Sequence, residues 1–189
     1  MPDFFLVNLL PYLNASENIE VMISAKMPAR KKREHAYKLL ELVGLSGKEK
    51  SYPHQLSGGE QQRVAIAVAL CNNPEIILAD EPTGAVDQKT SDQIKDLFIK
   101  LNREMGITII IVTHDLKLAS SIDRTVYISD GKISTEKVRL LDAESLDEFS
   151  VLDKAGRVKL DEDMLKEAGI LNRRVKINVE DDKIIVQKA

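Results

Sequence analysis

The amino-acid sequence predicts an α/β protein built on a parallel sheet. Two continuous apolar segments, 76–79 and 107–112, are typical of strands that are buried on both faces. Helix-forming segments alternate with these strands, and this order favours parallel pairing. The 189 residues are 43% hydrophobic and 30% charged. This composition describes an ordinary globular chain and excludes collagen-like and disordered classes.

Charge and cysteine content limit the classes of partner. The chain has 27 Lys and Arg, 30 Asp and Glu, and a net charge of -3. Binding to nucleic acid or anionic lipid would therefore need a local basic patch. Cys71 is the only cysteine, which excludes an internal disulfide framework and favours a reducing cytoplasm. Pro11 and Asn14 interrupt the apolar opening far short of a membrane span, so we expect any membrane association to be peripheral.

The first third of the chain is predicted to be helical. Ser16 is placed to cap a short helix that has Glu17 in its first turn. A longer helix is predicted from Lys31, with Gly44 as its C-terminal stop. Its apolar positions recur at helical spacing and are Ala36, Leu39, Leu40 and Val43.

The central segment supplies the predicted sheet and its covering helices. Ser57-Gly58-Gly59 opens an apolar helix, and the strand at 76–79 follows it. A helix is then predicted from about Gln88 to Met105. After the second strand, at 107–112, we predict a short helix and a hairpin that turns on Asp130-Gly131.

The last third is predicted to hold a linker and a small second module. Residues 136–150 are polar and acidic, so we interpret them as a linker with about one helical turn. We then predict two short strands about a turn at 154–156, a helix that Asp161 caps, and a hairpin that turns on Asp181-Asp182. So small a unit favours dimerisation or docking.

Two carboxylates at the end of the first apolar strand are the strongest chemical signal. Parallel sheets bind ligands at the carboxyl ends of their strands, and Asp80 and Glu81 follow the strand at that edge. One carboxylate can hold Mg²⁺ while the next, pointing elsewhere because strand side chains alternate, orients an attacking water. The alternative is that both are ordinary polar residues before a turn.

Two further features fit an anionic ligand. His114 follows the second strand, where an imidazole can hydrogen-bond a phosphate or the water that attacks it. The alternative is a structural histidine, which is our interpretation of His35 and His54. Ser57-Gly58-Gly59 at a helix N-terminus offers free backbone N–H groups, and the two glycines let a phosphate approach the backbone closely. Taken alone, Ser-Gly-Gly is also a common loop.

Three motifs follow one another along the chain: LSGGEQQRVAIAVAL, IILADEPTGAVD and IIIVTHD. In this order and spacing they resemble the ATP-binding cassette (ABC) family of transport ATPases. LLPYLNASENIE and GAVD are most similar to its lipoprotein-release and macrolide-export branch. The resemblance covers Asp3 to about Thr135. It implies a cassette of the P-loop NTPase type, with a parallel sheet and a helical subdomain, and it implies ATP and Mg²⁺ as cofactors.

The resemblance also implies roles for the candidate residues. The signature motif, which contacts ATP held by the opposite cassette of a head-to-tail dimer, is Ser57, Gly58, Gly59 and Glu60. By the same resemblance Asp80 is the Mg²⁺ carboxylate, Glu81 the general base, Asp87 the dimer-interface aspartate and His114 the switch histidine. The helical segment from Leu9 to Leu56 corresponds to the part that couples to a membrane-spanning subunit. The implied location is cytoplasmic, peripheral on the inner face of the cell membrane.

The sequence departs from the family at the phosphate-binding loop. A cassette binds nucleotide through G-x-x-x-x-G-K-[ST], and this chain contains no such motif. The nearest segment, GAVDQKT at 84–90, lacks the second glycine before its lysine. We therefore expect an N-terminally truncated cassette with a gap in the sheet beside 107–112. We also expect no autonomous hydrolysis, with a signature motif that can still serve the ATP of a partner.

The C-terminal module resembles the swapped-hairpin AbrB-like fold, whose stand-alone members form intertwined dimers and often bind DNA. The resemblance rests on LDKAGRVKL, the capped helix and VKINVEDDKIIV. A basic patch is available from Arg157, Lys159, Arg173, Arg174 and Lys176, but Asp161, Glu162, Asp163, Asp181 and Asp182 nearly cancel it. We therefore favour a dimerisation or regulatory module over a DNA reader.

The predicted organisation is a partial ABC ATPase domain at 1–135, a linker at 136–150 and an AbrB-like module at 151–189. The main functional hypothesis is the ATP-binding subunit of an ABC exporter, which couples ATP binding and hydrolysis at a cassette dimer interface to transport by a membrane partner. One alternative is a non-catalytic cassette that lends its signature motif to a partner. The other is a DNA-binding regulator, although the charge balance gives no strong indication of nucleic acid.

Overall fold

The computed structural model describes residues 3–5, 9–84, 86–129, 132–139, 146–152, 156–160, 162–170 and 175–188. The chain forms two compact units, residues 1–119 and residues 120–189. Each unit has its own sheets and is described by itself. The first domain was predicted to end at residue 135, and this boundary stays a prediction.

A parallel sheet lies in the first unit. Its strands are β1 (Asp3–Phe5), β2 (Ile76–Asp80) and β3 (Thr108–Val112), in the order β1-β2-β3. Asp80 pairs with Val112, so strands β2 and β3 end at the same level. The residues that follow these two strands are consequently brought to one edge of the sheet. The predicted α/β fold with a parallel sheet is confirmed.

Strand β3 is more exposed than its apolar sequence indicates. Burial on both faces was predicted for this strand, but Ile110 is 50% exposed and Val112 is 62% exposed. Within the described residues β3 pairs with β2 alone, so β3 is the edge strand there. A gap in the sheet beside 107–112 was expected from the sequence, and it stays a prediction.

Helices pack against the sheet and against one another. They are α1 (Ala15–Glu20), α2 (Ala29–Leu42), α3 (Gly58–Leu70), α4 (Gln88–Met105) and α5 (Leu116–Ser120), with a 3-10 helix at Pro53–Gln55. Apolar side chains at helical spacing form the core between them. Its largest fully buried members include Ile19, Leu40, Ile66, Leu70, Ile94 and Leu101.

The cap of α1 differs from the prediction. Asn14, and not Ser16, is the N-cap: its Oδ1 accepts a hydrogen bond from Glu17 N at 3.0 Å, and Glu17 Oε2 accepts from Asn14 N at 2.9 Å. Ser16 lies inside the helix, buried, and donates its hydroxyl to Asn14 Oδ1 at 3.0 Å. Asn14 and not Ser16 is the cap because Glu17 lies three residues after Asn14 and completes the reciprocal capping box.

The second unit begins with an antiparallel sheet. Its strands are β4 (Arg124–Ser129), β5 (Lys132–Arg139) and β6 (Leu146–Ser150), in the order β4-β5-β6. The predicted linker over 136–150 is therefore wrong for the described residues, because 136–139 belong to β5 and 146–150 form β6. Strand pairing satisfies the backbone whatever the polarity of the side chains. The predicted turn at Asp130-Gly131 lies outside the described residues.

The rest of the second unit holds α6 (Glu162–Glu167) and the hairpin of β7 (Val175–Glu180) and β8 (Lys183–Lys188). The predicted turn is confirmed: Asp181 and Asp182 have φ of 46° and 63°, the left-handed geometry of a two-residue hairpin turn. The two short strands predicted about 154–156 are not formed by the described residues there, because so short a pair buries too little to hold itself. Asp161, Lys154 and Ala155 lie outside the described residues.

Candidate functional site

The chain turns sharply where β2 ends. Glu81 has a φ of 45°, a left-handed conformation that is rare for a residue with a side chain. Its backbone N–H donates to Val112 O at 2.8 Å, and its carbonyl accepts from Gly84 N at 3.1 Å. These bonds anchor the turn to the end of β3. Strain of this kind persists only where the surroundings hold it and is common at functional sites.

The side chain of Glu81 is held by the residues that follow β3. Its Oε1 accepts from the backbone N of His114 at 2.9 Å and lies 2.7 Å from His114 Nδ1, and its Oε2 accepts from Thr113 Oγ1 at 3.1 Å. Partial burial acts to raise the pKa of the Glu81 carboxyl, but the hydrogen bonds from His114 and Thr113 outweigh it, so this pKa lies below its ordinary value. The structure therefore brings the predicted base and the predicted switch histidine into direct contact.

Asp80 occupies a different position from its neighbour. It is the last residue of β2 and is exposed, whereas the side chain of Glu81 is engaged by Thr113 and His114. Magnesium is usually held by one or two carboxylates together with substrate phosphates, and the exposed carboxylate of Asp80 fits that use. An open cavity of about 510 Å³ lies beside Glu81 and His114, and its lining also includes Gly84, Gln88 and Lys117.

Ser57 caps α3 through a complete capping box. Ser57 Oγ accepts from Glu60 N at 3.2 Å, and Glu60 Oε2 accepts from Ser57 N at 2.8 Å. The bond from the Ser57 backbone and then the contact with Lys48 Nζ, 3.1 Å from Glu60 Oε1, hold the pKa of Glu60 below its ordinary value. The predicted helix start is confirmed. Ser57 and Gly58 are exposed, so this helix N-terminus faces outward.

Gly59 differs from Gly58 in its surroundings. It is buried, and a Cβ atom on it would overlap Cγ2 of Thr90. The expectation that both glycines let a phosphate approach the backbone stays a prediction; Gly58 is exposed and Gly59 is buried. The missing side chain of Gly59 makes room for Thr90 in this structure.

Asp87 is the N-cap of α4. Its Oδ1 accepts from Thr90 N at 3.1 Å and its Oδ2 accepts from Thr90 Oγ1 at 2.7 Å. The hydroxyl of Thr90 and then its backbone N–H hold the pKa of Asp87 below the ordinary value. Thr90 was not among the predicted site residues. Its only signal in the sequence is the spacing Asp-x-x-Thr at the start of a helix.

The two remaining histidines have structural partners, as expected. His35 Nε2 lies 3.0 Å from the carbonyl oxygen of Cys71, and the ring of His54 stacks on Tyr52 at a centroid distance of 5.9 Å. In the part of the chain that the structure describes, three or more His, Cys, Asp or Glu residues never group closely enough to hold a metal by themselves. None of the described helices has the length and apolarity to cross a membrane.

The first unit is an α/β domain with carboxylates and a histidine at the strand ends of a parallel sheet, the edge at which such sheets bind ligands. The sequence matches the family of ABC transporters over residues 4–84. An uncharacterized ABC transporter ATP-binding protein of Bacillus subtilis is 52% identical over 131 residues, which are 69% of this chain and 57% of that protein. The lipoprotein-releasing system ATP-binding protein LolD of Syntrophus aciditrophicus is 48% identical over 130 residues, 68% of this chain and 58% of LolD.

A solved structure agrees with these relatives. The ATP-binding cassette MJ0796 of Methanocaldococcus jannaschii, a dimer bound to ADP and phosphate, matches with a TM-score of 0.63 at 44% identity, over 71% of this chain and 60% of that chain. The chain is therefore similar in sequence and fold to ATP-binding proteins of ABC transporters, among them LolD and MJ0796. It spans 57% and 58% of the two curated relatives that it matches above.

Proposed function

We propose that this protein is the ATP-binding subunit of an ABC exporter, and that it couples ATP binding and hydrolysis at a cassette dimer interface to transport by a membrane partner. The contact of Glu81 with His114 at the joint end of β2 and β3 carries the proposal. A base must lie within hydrogen-bond reach of the group that orients it. The proposed location is cytoplasmic, peripheral on the inner face of the cell membrane.

Each candidate residue has a role in this proposal. Asp80 offers its exposed carboxylate to Mg²⁺, which would neutralise charge on the phosphates when it is bound. Glu81 takes a proton from the attacking water, and His114 orients Glu81. The outward-facing α3 N-terminus, with Ser57, Gly58 and Glu60, meets the ATP of the opposite cassette, since a helix N-terminus favours anions. Asp87 belongs to the same dimer interface.

A second candidate function concerns the N-terminus of α3, where Ser57 and Gly58 are exposed. In it, the protein is a non-catalytic cassette that presents its signature motif, Ser57 to Glu60, to ATP bound by an intact partner. The exposed N-terminus of α3 supports this role, because it needs nothing from the phosphate loop of its own chain.

One assay separates the two functions. ATP turnover is measured for the purified chain alone and after mixing with an intact cassette that carries its own phosphate loop. Turnover by the chain alone that Glu81→Gln abolishes would establish the catalytic subunit and overturn our expectation of no autonomous hydrolysis. Stimulation of the intact cassette that Ser57→Arg removes, with Glu81→Gln as the matched control that leaves it in place, would establish the lending of the signature motif.

The C-terminal residues 151–189 are proposed to be an AbrB-like dimerisation or regulatory module. The hairpin of β7 and β8 supports this proposal, because its apolar residues Ile177, Val179 and Ile184 are exposed. A hairpin with a bare apolar face is at best marginally stable alone. The DNA-binding alternative requires duplex binding with a salt slope at physiological ionic strength, and binding that does not depend on salt concentration would rule it out.

A further inference from the structure

We propose that Thr90 is a positioning residue that joins the N-terminus of α3 to the cap of α4, and that Gly59 lacks a side chain in order to admit it. The inference rests on the proposed function in one respect: the segment that Thr90 positions is the signature motif. Sequence analysis assigns no role to Thr90, and the family motifs treat the glycine and the aspartate separately. The structure connects them through one threonine.

The first observation is the contact between α3 and α4. Gly59 is buried, whereas Ser57 and Gly58, directly before it, are exposed. The three heavy atoms nearest to a Cβ on Gly59 all belong to Thr90. Its Cγ2 would overlap that Cβ, but its Cβ and Oγ1 would lie 3.4 Å and 3.5 Å away, which is ordinary contact distance. One methyl group of Thr90 therefore accounts for the glycine at this position.

The second observation is the other branch of the same side chain. Thr90 Oγ1 donates to Asp87 Oδ2 at 2.7 Å, and Thr90 N donates to Asp87 Oδ1 at 3.1 Å. Both carboxylate oxygens of Asp87 are thus held by Thr90. A threonine carries its methyl and hydroxyl on one Cβ, so the rotamer that directs the hydroxyl to Asp87 also directs the methyl to Gly59.

A mechanical consequence follows from this bridge. If α3 shifts at its N-terminus, the methyl of Thr90 must move, and the hydroxyl bond to Asp87 moves with it. The signature helix and the interface aspartate are consequently set in one relative position. A displacement of about 1 Å at a reacting centre can change a rate about 100-fold, so this coupling bears on the activity of the dimer.

The competing explanation is that Gly59 is glycine because a phosphate approaches its backbone. The two explanations differ in what Thr90→Ser does. This substitution removes the methyl of Thr90 and retains its hydroxyl. If the methyl is the reason for the glycine, Gly59→Ala becomes acceptable in the Thr90→Ser background. If the phosphate is the reason, Gly59→Ala leaves the Tm of the free chain unchanged, and its defect in ATP-dependent stimulation remains in both backgrounds.

The experiment uses the full chain with Gly59→Ala, Thr90→Ser, both together, and Thr90→Val. Thermal unfolding reports the contact: Gly59→Ala lowers Tm by about 3 to 10 °C, and the double variant returns to within about 2 °C of Thr90→Ser. The ¹³C shift of the Asp87 carboxyl at pH 7 reports the coupling. Thr90→Val lacks the hydroxyl, so its spectrum shows how the Asp87 signal moves when the hydrogen bond from Thr90 is lost. We expect Gly59→Ala to move the Asp87 signal in the same direction. Adding Thr90→Ser to Gly59→Ala should return the signal to its position in Thr90→Ser alone.

The third readout is stimulation of ATP turnover when the chain is mixed with the intact Methanocaldococcus jannaschii cassette. Gly59→Ala reduces the stimulation at least about tenfold, and the double variant recovers to within about threefold of Thr90→Ser.

Two results would overturn the inference. One is a double variant as defective as Gly59→Ala in Tm or in stimulation. The other is an Asp87 signal that Gly59→Ala leaves unchanged, because a purely local packing role would not reach that carboxyl. Absence of stimulation by the wild-type chain overturns the proposed lending function instead. The Tm and Asp87 measurements on the free chain decide between Thr90 and phosphate as the reason for Gly59 in that case too.

Discussion

The carboxylate of Glu81 accepts hydrogen bonds from Thr113 and His114 that favour its ionised form. Because the carboxylate accepts, the proton between it and His114 belongs to Nδ1 of the imidazole. The pKa of Glu81 therefore lies below its value in the unfolded chain. Such a group stabilises the fold fully above the unfolded pKa, and its contribution disappears as the pH falls through the folded pKa.

The first prediction concerns this pH dependence. The free energy of unfolding of the wild type exceeds that of Glu81→Gln at pH 7, and the difference shrinks as the pH falls from about 5.5 to about 3.5. Urea unfolding at a series of pH values measures it. Glu104→Gln, a change at an exposed glutamate of α4, is the control. A difference that grows towards acid pH would contradict the hydrogen-bonding of an ionised Glu81.

The second prediction concerns the cap of α3. Ser57→Ala removes the acceptor for Glu60 N and lowers the free energy of unfolding by about 1 kcal/mol. Ser57→Asp keeps an acceptor at the cap and stays within about 0.5 kcal/mol of the wild type. Urea unfolding at pH 7 tests both variants. Equal stability of Ser57→Ala and the wild type would mean that this cap does not hold the helix start.

The position of a site residue was predictable from the sequence where a reactive side chain directly follows a recognisable strand. Glu81 and His114 each follow an apolar strand, so their meeting at one edge follows from parallel pairing. The cap at Asn14 was missed because Ser16 is an equally good capping residue, and the choice depends on which of them has Glu17 at the third position. Thr90 was missed because its partner Gly59 is distant in sequence, and no local pattern records a contact between two helix starts.

At the scale of elements, burial separates β3 from the helix α4 that packs against it. Ile94 in α4 is fully buried, while Ile110 in β3 is half exposed, although both residues belong to strongly apolar patterns. The third prediction uses this pair. Ile94→Ala lowers the free energy of unfolding by about 2 to 5 kcal/mol, whereas Ile110→Ala changes it by less than about 1 kcal/mol.

Urea unfolding of the free chain measures the third prediction. Repeating it after mixing with a partner cassette extends the test to the free edge of β3. If another strand covers that edge in the complex, Ile110→Ala weakens the complex, while in the free chain it remains nearly neutral. A large loss of stability for Ile110→Ala in the free chain would show that this residue is buried there after all.

Helices and strands with a clear apolar pattern were predictable from the sequence. Helices α3 and α4 and strands β2 and β3 lie where their patterns place them. Strand β6 was not predicted, since its sequence LDEFS carries two carboxylates and was interpreted as part of a linker. It is a strand because β5 pairs with it from Thr135 to Arg139. Pairing of this kind depends on the partner and cannot be read from the polarity of one segment.

At the scale of the whole molecule, domain organisation was harder to predict than the elements. The sequence placed the hairpin of β4 and β5 with the cassette, whereas the structure groups residues 120–189 into one compact unit. The predicted boundary at residue 135 follows the end of the family resemblance. An antiparallel sheet such as β4-β5-β6 holds its strands together as one unit, a long-range pairing that sequence patterns do not record, and the domain boundary at 135 stays a prediction.

The last prediction concerns the face of β7 and β8 that the second unit exposes. Ile177 pairs with Val186 and Val179 with Ile184, so these four side chains share one face of the hairpin. Val179 is 74% exposed, and burial of such a face against a second copy is the physical reason to expect a dimer. In sedimentation velocity we expect the full chain to dimerise and Val179→Lys to shift it to the monomer. Asn178→Lys adds the same charge to the opposite face and leaves the dimer intact. Equal effects of the two lysines would show that charge alone, and not this apolar face, controls the association.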